Sequence, residues 1–222
     1  MATLIAFDVD GVLYSSEPFI ADAYRESIER VNARRPGSFA RVPSTRDILD
    51  HIGWPVATIL KRLFPRVDRE AVELLHAATL DVICRRVAER EGRLYPGVHE
   101  ALEMLGEAGH LLAVASNGRR RYVETILDTY GMAHLFVEPI TADERGTKPM
   151  VLREYLETYD ITPIAAVMVG DRASDVEAAQ AVSCHFIGCD YGHGYRHEIE
   201  GAGPVVNHLR EVPSAVVYLL RG

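Results

Sequence analysis

Leu4-Ile5-Ala6-Phe7-Asp8-Val9-Asp10-Gly11-Val12 carries two carboxylates, two positions apart, from an apolar run into a glycine turn. Apolar residues of this kind mark a buried strand, and successive strand side chains point to opposite faces. Asp8 and Asp10 therefore converge only once the chain has left the strand. Gly11 permits a sharp departure that a Cβ would resist. Two acids at a strand's carboxyl end can divide a nucleophile role from a general-acid role, or hold a hard cation between oxygens. Asp and Gly are equally ordinary turn and cap residues, so this run alone leaves both readings open.

The rest of the chain sets the bounds. Its 222 residues suit a main domain carrying one insertion. A hydrophobic content of 48% with 25% charged residues is that of a water-soluble globular protein. The formal net charge of −8, with no long basic stripe to offset it, argues against a nucleic-acid partner. A small anionic substrate stays open, since a few local cations suffice in a closed site. The residues read contain no leader pattern and no apolar run of membrane-spanning length, so no membrane partner is expected. Three cysteines, Cys84, Cys184 and Cys189, are too few and too odd in number for a disulfide framework. A cytoplasmic setting is the expectation.

Beyond Gly11 the pattern turns helical. Pro18 suits a first turn, and Phe19, Ile20, Ala23, Tyr24, Ile28 and Val31 recur at helical spacing. Ser44-Thr45-Arg46-Asp47 reads as a capped start, Pro55 opens a segment through Leu63, and Asp68 starts a long stretch reaching Val87. No strand is expected between residues 15 and 91, so this segment reads as an all-helical insertion. The remainder, 1–14 and 92–222, alternates helices with short apolar strands. A helix over Val98–Ala108 stops at Gly109, a natural residue after a helix end. Strands follow at Leu111–Ala115, at the run Leu135-Phe136-Val137, at Ala165–Val169, and last at His185-Phe186-Ile187. The fold class is therefore α/β, a Rossmann-like parallel sheet covered on both faces, with an inserted all-helical domain.

In such sheets ligands sit outside the carboxyl ends of the strands. That rule gathers Asp8 and Asp10, the turn Ser116-Asn117-Gly118, and Gly170-Asp171-Arg172 with Asp175 one turn on. Lys148, in the loop Gly146-Thr147-Lys148-Pro149, joins them. An aspartate attacking phosphorus would split phosphoester hydrolysis into two steps. Mg2+ suits the meeting of two anions, and Lys148 adds a point charge. Ser116 and backbone N–H groups at a helix start suit the remaining phosphate oxygens. Asp10 suits proton transfer to the leaving oxygen and from the attacking water. Each piece also has a plainer reading, as cap, turn or solvated lysine. Arg119-Arg120-Arg121 reads better as a solvated face, and Cys184, Cys189, His193 and His197 match no zinc spacing. Trp54 reads as core packing, with Lys61 and Arg62 in solvent.

Together, Asp8-Val9-Asp10-Gly11, Ser116-Asn117-Gly118, Lys148-Pro149 and Gly170-Asp171-Arg172-Ala173-Ser174-Asp175 resemble the haloacid dehalogenase-like hydrolase superfamily. Tyr95-Pro96-Gly97-Val98 is similar to that family's return from a helical cap, and the resemblance spans nearly the whole chain. It implies a nucleophilic Asp8, an acid/base Asp10, and Mg2+ held by Asp8, the Asp10 main-chain carbonyl and Asp171, with Asp175 and Arg172 behind them. The chain is most similar to the phosphoglycolate phosphatase type, partly through Tyr191-Gly192-His193-Gly194. It departs at Ser15, where that type often has an aspartate. The expected activity is hydrolysis of a small phosphorylated metabolite, phosphoglycolate-like or a sugar phosphate. The alternatives are a phosphomutase, a phosphonate hydrolase (Lys61 being the one lysine in the helical insertion) and a non-enzymatic phospho-sensor.

Overall fold

A computed structural model describes residues 3–54 and 56–220 of the chain. Strand β1 (Leu4–Phe7) leads through a tight turn to β2 (Tyr14–Ser15). Helices α1 (Ile20–Arg34), α2 (Thr45–Leu49), α3 (Val56–Leu63) and α4 (Arg69–Ala88) come next, and β3 (Arg93–Leu94) closes the excursion. The chain continues through α5 (Val98–Glu107), β4 (Leu111–Ser116), α6 (Arg120–Thr129), β5 (Ile140–Thr141), α7 (Ala142–Arg145) and α8 (Lys148–Thr158). It ends with β6 (Ala166–Gly170), α9 (Ala173–Val182), β7 (His185–Cys189), α10 (Arg196–Ile199), β8 (Val205–Val206) and α11 (Val212–Leu220).

Six strands form one parallel sheet in the order β5-β4-β1-β6-β7-β8. β1 is central, with Leu4 opposite Leu111 on one side and Ala166 on the other. All four of its side chains are fully buried, as a strand covered on both faces requires. Ile5 and Phe7 enter a core with Leu102, Ile126 and Val216, whereas Leu4 and Ala6 enter one with Val151, Tyr155 and Ala178. The period-two alternation of the strand thus sorts its residues into two helix-covered layers.

The α/β expectation is met, with three differences. Leu135-Phe136-Val137 is not the third strand. Ala133–Leu135 is a 3-10 turn, and β5 forms three residues beyond the expected run, after Pro139. Leu135 and Phe136 pack against the core, and pairing here is limited to one bridge between Phe136 and Leu112, with Val137 N donating to Leu112 O at 2.9 Å. The sheet also continues past β7 into β8, two residues that pair with Gly188 and Cys189 and are too short to show periodicity. Finally, Ser15 belongs to a small antiparallel pair, β2 with β3, at the base of the helical segment.

Between these two short strands the described residues are helical, with their own apolar cluster built on Tyr24, Ile28, Phe39, Leu60 and Leu75. The caps read from the sequence are present. Ser44 Oγ accepts from Asp47 N at 3.1 Å, while Asp47 Oδ2 accepts from Ser44 N at 3.0 Å. Asp68 Oδ1 accepts from Ala71 N at 3.0 Å. Pro55, read as a helix opener, lies outside the described residues. The far half of α4 leaves this cluster, and its Val82 and Val87 pack into the core beside the sheet.

Phe7 carries the β1 packing, fully buried and edge-on to Phe136 at 6.3 Å between ring centroids. Phe7→Ala is expected to cost about 3–5 kcal/mol in urea unfolding, because its neighbours cannot collapse into the space. A loss below about 1 kcal/mol would mean that β1 is not the rigid centre of the sheet.

Candidate active site

The chain runs from β1 to β4 and β5 on one side, then returns to β6 on the other side of β1. This reversal opens a crevice at the carboxyl end of β1. Asp8 extends the ladder there, its N–H donating to Val169 O at 2.9 Å. The next residues fold back at once, with Leu13 N and Tyr14 N both donating to Val9 O at 2.9 Å. Gly11 adopts φ +90°, and a Cβ on it would stand 2.2 Å from Asp171 Oδ2. The glycine is therefore required twice, by backbone conformation and by the carboxylate beside it.

Asp8 is buried, and its Oδ2 lies 2.9 Å from the ammonium of Lys148, the first residue of α8. That oxygen makes no well-directed hydrogen bond, so the contact is one of charge. Lys148 Nζ donates to Asp175 Oδ1 at 2.5 Å. Burial opposes its charge, but Asp175 and Asp8 outweigh burial and hold the ammonium above its ordinary pKa. Asp8 moves the other way. Burial drives its carboxyl well up, Lys148 lowers it, and the neighbouring Asp175 and Asp171 raise it further.

Asp171 follows β6 and is 1% exposed. Its Oδ2 accepts from His193 N at 2.7 Å and Gly194 N at 2.9 Å, whereas its Oδ1 is buried without a partner. Asp175 Oδ2 accepts from Asp171 N at 3.1 Å and Arg172 N at 3.0 Å, which closes the start of α9. Asp175 is thus both a helix-start acceptor and a partner of Lys148. Carboxylate oxygens of Asp8, Asp171 and Asp175 lie within 4.8 Å of one another. An all-oxygen set with a free buried oxygen on Asp171 suits a hard divalent cation.

Asp10 stands apart from that trio. Its Oδ1 accepts from Tyr122 Oη at 2.8 Å and from Ser16 Oγ at 3.2 Å. Burial raises its pKa, and these hydrogen bonds only partly offset the shift. Tyr122 of α6, a residue to which sequence pattern assigns no role in the site, is therefore the main hydrogen-bond partner of Asp10. Its place in the apolar spacing of α6 hid that role, since a hydroxyl pointing off a core face leaves no periodic signal.

Ser116, Asn117 and Gly118 lie at the end of β4 and line the same cavity as Asp8 and Asp10. Ser116 Oγ accepts from Gly118 N at 3.0 Å, and Asn117 Nδ2 donates to Gly53 O at 2.8 Å. Asn117 thus ties the sheet end to the helical segment. Arg172 makes a similar link, reaching Asp50 O at 3.4 Å and His193 O at 3.3 Å, with Glu198 at 3.6 Å. The role of the run Tyr191-Gly192-His193-Gly194 is to present N–H groups to Asp171. A Cβ on Gly192 would stand 2.3 Å from Asp171 Oδ2. Trp54, read as core, does pack against the apolar cluster of the helical segment, and it also lines the cavity, with Arg62 stacked on it at 4.0 Å. Lys61 is exposed and does not line it.

The chain matches the haloacid dehalogenase-like hydrolase family over residues 5–189. A phosphoglycolate phosphatase of Aliivibrio fischeri is 30% identical over 213 residues, covering 91% of this chain and 90% of that protein. The crystal structure of a predicted phosphoglycolate phosphatase from Haemophilus somnus aligns with a TM-score of 0.83 at 23% identity, over 96% of this chain and 97% of that one. CbbY from Rhodobacter sphaeroides, solved with phosphate, aligns with a TM-score of 0.77 at 21% identity over 96% of each chain.

Burial, and then the charge of Asp175, push the Asp171 carboxyl from its ordinary 3.8 up to about 7. A carboxyl raised by folding contributes stability that is whole below the ordinary value and lost as pH rises through the folded one. Without metal, thermal stability is therefore expected to fall between about pH 4 and about pH 7, and Asp171→Asn to flatten that fall. Calorimetry in chelator checks this, and a variant profile as steep as the parent's would contradict it.

Proposed function

The chain belongs to the haloacid dehalogenase-like hydrolase family, and from that premise we propose that it is a magnesium-dependent phosphatase of small phosphomonoesters. The observation that carries the reading is the division of labour between two neighbouring acids. Asp8 faces the ammonium of Lys148 at 2.9 Å, while Asp10 is held separately by Tyr122 at 2.8 Å. That separation supports a reading in which one acid attacks and the other moves a proton.

In the proposed reaction an oxygen of Asp8 attacks phosphorus, and the bond from phosphorus to the ester oxygen breaks. Asp10 gives its proton to that leaving oxygen, and an aspartyl-phosphate remains on Asp8. Asp10 then takes a proton from water, whose oxygen attacks phosphorus and releases inorganic phosphate. The raised pKa of Asp10 fits a group that must carry a proton in one step and accept one in the next. Asp8, Asp171 and the main-chain carbonyl of Asp10 would hold Mg2+, which supplies charge compensation between carboxylate and phosphate. Lys148 adds a fixed positive charge, and Asp175 keeps its ammonium aimed at Asp8. Ser116, Asn117 and Gly118 are the proposed phosphate contacts, and Arg172 steadies the loop behind Asp171.

Residues 15–91 act as a lid in this reading. Asn117 with Gly53, and Arg172 with Asp50, are polar ties between the sheet ends and the helices, which fits a segment that closes over substrate and excludes water. The relatives point to phosphoglycolate or a similarly small phosphorylated acid as substrate. Lys61, exposed and not among the cavity-lining residues, gives no support to a phosphonate reading. Among the described residues no helix is long and apolar enough to cross a membrane, and the proposed setting is the cytoplasm.

Asp8→Asn replaces a nucleophile with a nearly isosteric amide, so turnover of phosphoglycolate is expected to fall by roughly a thousandfold or more with the fold intact. Asp10→Asn is expected to be severely impaired and to accumulate labelled aspartyl-phosphate, visible by mass spectrometry. Chelator is expected to abolish activity and magnesium to restore it. Undiminished turnover by Asp8→Asn, or by metal-stripped enzyme, would refute the mechanism.

A further inference from the structure

The cavity in front of Asp8 and Asp10 has a volume of about 80 Å³. Among the described residues, seven aliphatic side chains of the helical segment line it, Ile48, Ile52 and Ile59 among them. A hydroxyl set against such a wall loses its bonds to water and gains nothing in return. Ser16, Tyr24 and Trp54 bring polar atoms to the same side, but two others stand out by being buried and unpaired. His76 Nε2 and Thr79 Oγ1 are both buried, both belong to residues lining this cavity, and neither has a hydrogen-bond partner.

They sit three residues apart on α4 and therefore share one face of the helix. A helical hydroxyl usually returns to the carbonyl four residues back. Thr125 does so on α6, donating to Arg121 O at 2.6 Å, and Ser27 does so on α1, donating to Ala23 O at 2.6 Å. Thr79 does not, although it is only 2% exposed. Buried polar atoms are nearly always paired, so two orphans on residues that line one cavity point to a place that a ligand fills. Arg119 lines the same cavity and has only a loose contact of 3.9 Å with Asp143, leaving its charge available there. Burial, reinforced by Arg119, holds His76 below its ordinary pKa, so its ring is neutral and can donate from Nε2.

We propose that His76 and Thr79 are specificity residues that together take one hydrogen-bond acceptor, a carboxylate or hydroxyl, at the far end of a short phosphoester. The proposal rests on the phosphatase reading and narrows it. The isoleucine-rich wall packs the one or two carbons between phosphate and acceptor. A sugar phosphate would bring several hydroxyls to a wall that offers partners for few of them, so this class is rejected by desolvation. The donors of His76 and Thr79 are left unpaired by an ester that lacks the end group, and that is the source of discrimination.

The test is kcat/KM of the magnesium-loaded enzyme for 2-phosphoglycolate, 2-hydroxyethyl phosphate, ethyl phosphate and glucose 6-phosphate. The first three share a two-carbon length and differ at the end group. The parent enzyme is expected to favour the two polar-ended esters over ethyl phosphate and glucose 6-phosphate. Thr79→Val and His76→Leu are each expected to lower the ratio of polar-ended to ethyl ester by roughly tenfold. Thr79→Ser, which keeps the hydroxyl and loses a methyl group, is expected to retain the ratio, whereas a packing role would make it behave like other cavity variants. An unchanged ratio in either Thr79→Val or His76→Leu, or a parent enzyme that prefers glucose 6-phosphate, overturns the proposal and leaves the phosphatase reading standing. A parent enzyme that hydrolyses none of the four overturns both.

Discussion

The buried ammonium of Lys148 is the interaction on which the rest of the site depends. Three carboxylates with oxygens within 4.8 Å of one another, from Asp8, Asp171 and Asp175, sit in the interior at the end of the sheet. Without a cation among them at least one would take up a proton and lose its value as a nucleophile or ligand. Lys148 Nζ touches two of the three, at 2.9 Å and 2.5 Å. Removing one member of such a buried pair typically costs about 3–5 kcal/mol, because the remaining charge is stranded. The third carboxylate, Asp171, takes its compensation from the N–H groups of His193 and Gly194 instead. Burial still raises the Asp8 and Asp171 carboxyls, so one ammonium only partly offsets the crowding of three acids, which suits the site to a further cation.

That arrangement exists because the sheet reverses direction beside β1. Asp8 and Asp171 come from adjacent parallel strands, so their separation follows from strand spacing and register. Phe7 pairs with Val169, and one further step leads to Asp8, just past the end of β1, and to Gly170, the last residue of β6 and the neighbour of Asp171. Gly11 and Gly192 then let two backbones approach the Asp171 carboxylate more closely than any Cβ would allow. Acids on a packed sheet are held more rigidly than acids on a loop, and preorganised charge is what a transition state rewards.

The helical segment supplies what the sheet lacks. Strand ends offer charge and hydrogen bonds but little shape, and the helices close the cavity with an apolar wall carrying few polar atoms. Beside the cavity, Asn117 to Gly53 and Arg172 to Asp50 cross to main-chain carbonyls. Farther along α4 Arg121 pairs with Asp81 at 2.6 Å, and just past its end Arg90 donates to Thr129 O at 2.7 Å. Such single hydrogen bonds are worth about 0.5–1.5 kcal/mol each, the scale of contacts that can be made and broken in each cycle.

The α/β class, the central strand, the capped starts at Ser44 and Asp68 and the candidate acids were all legible in the sequence, because each depends on neighbours within a few residues. Period-two apolar runs, glycine at a turn and Ser or Asp before a helix are local physics. The slipped third strand shows the limit, since Leu135 and Phe136 pack against the core with one bridge to Leu112 and β5 pairs through only two residues. Residue type and local pattern are enough to say which residues carry charge and where each strand releases them. Chain topology alone makes Tyr122 hold Asp10, lets Asp175 serve both Lys148 and the start of α9, and brings His76 and Thr79, each with an unpaired buried atom, into the cavity lining. Those pairings join residues up to 112 positions apart, and only chain topology brings such distances to hydrogen-bond length.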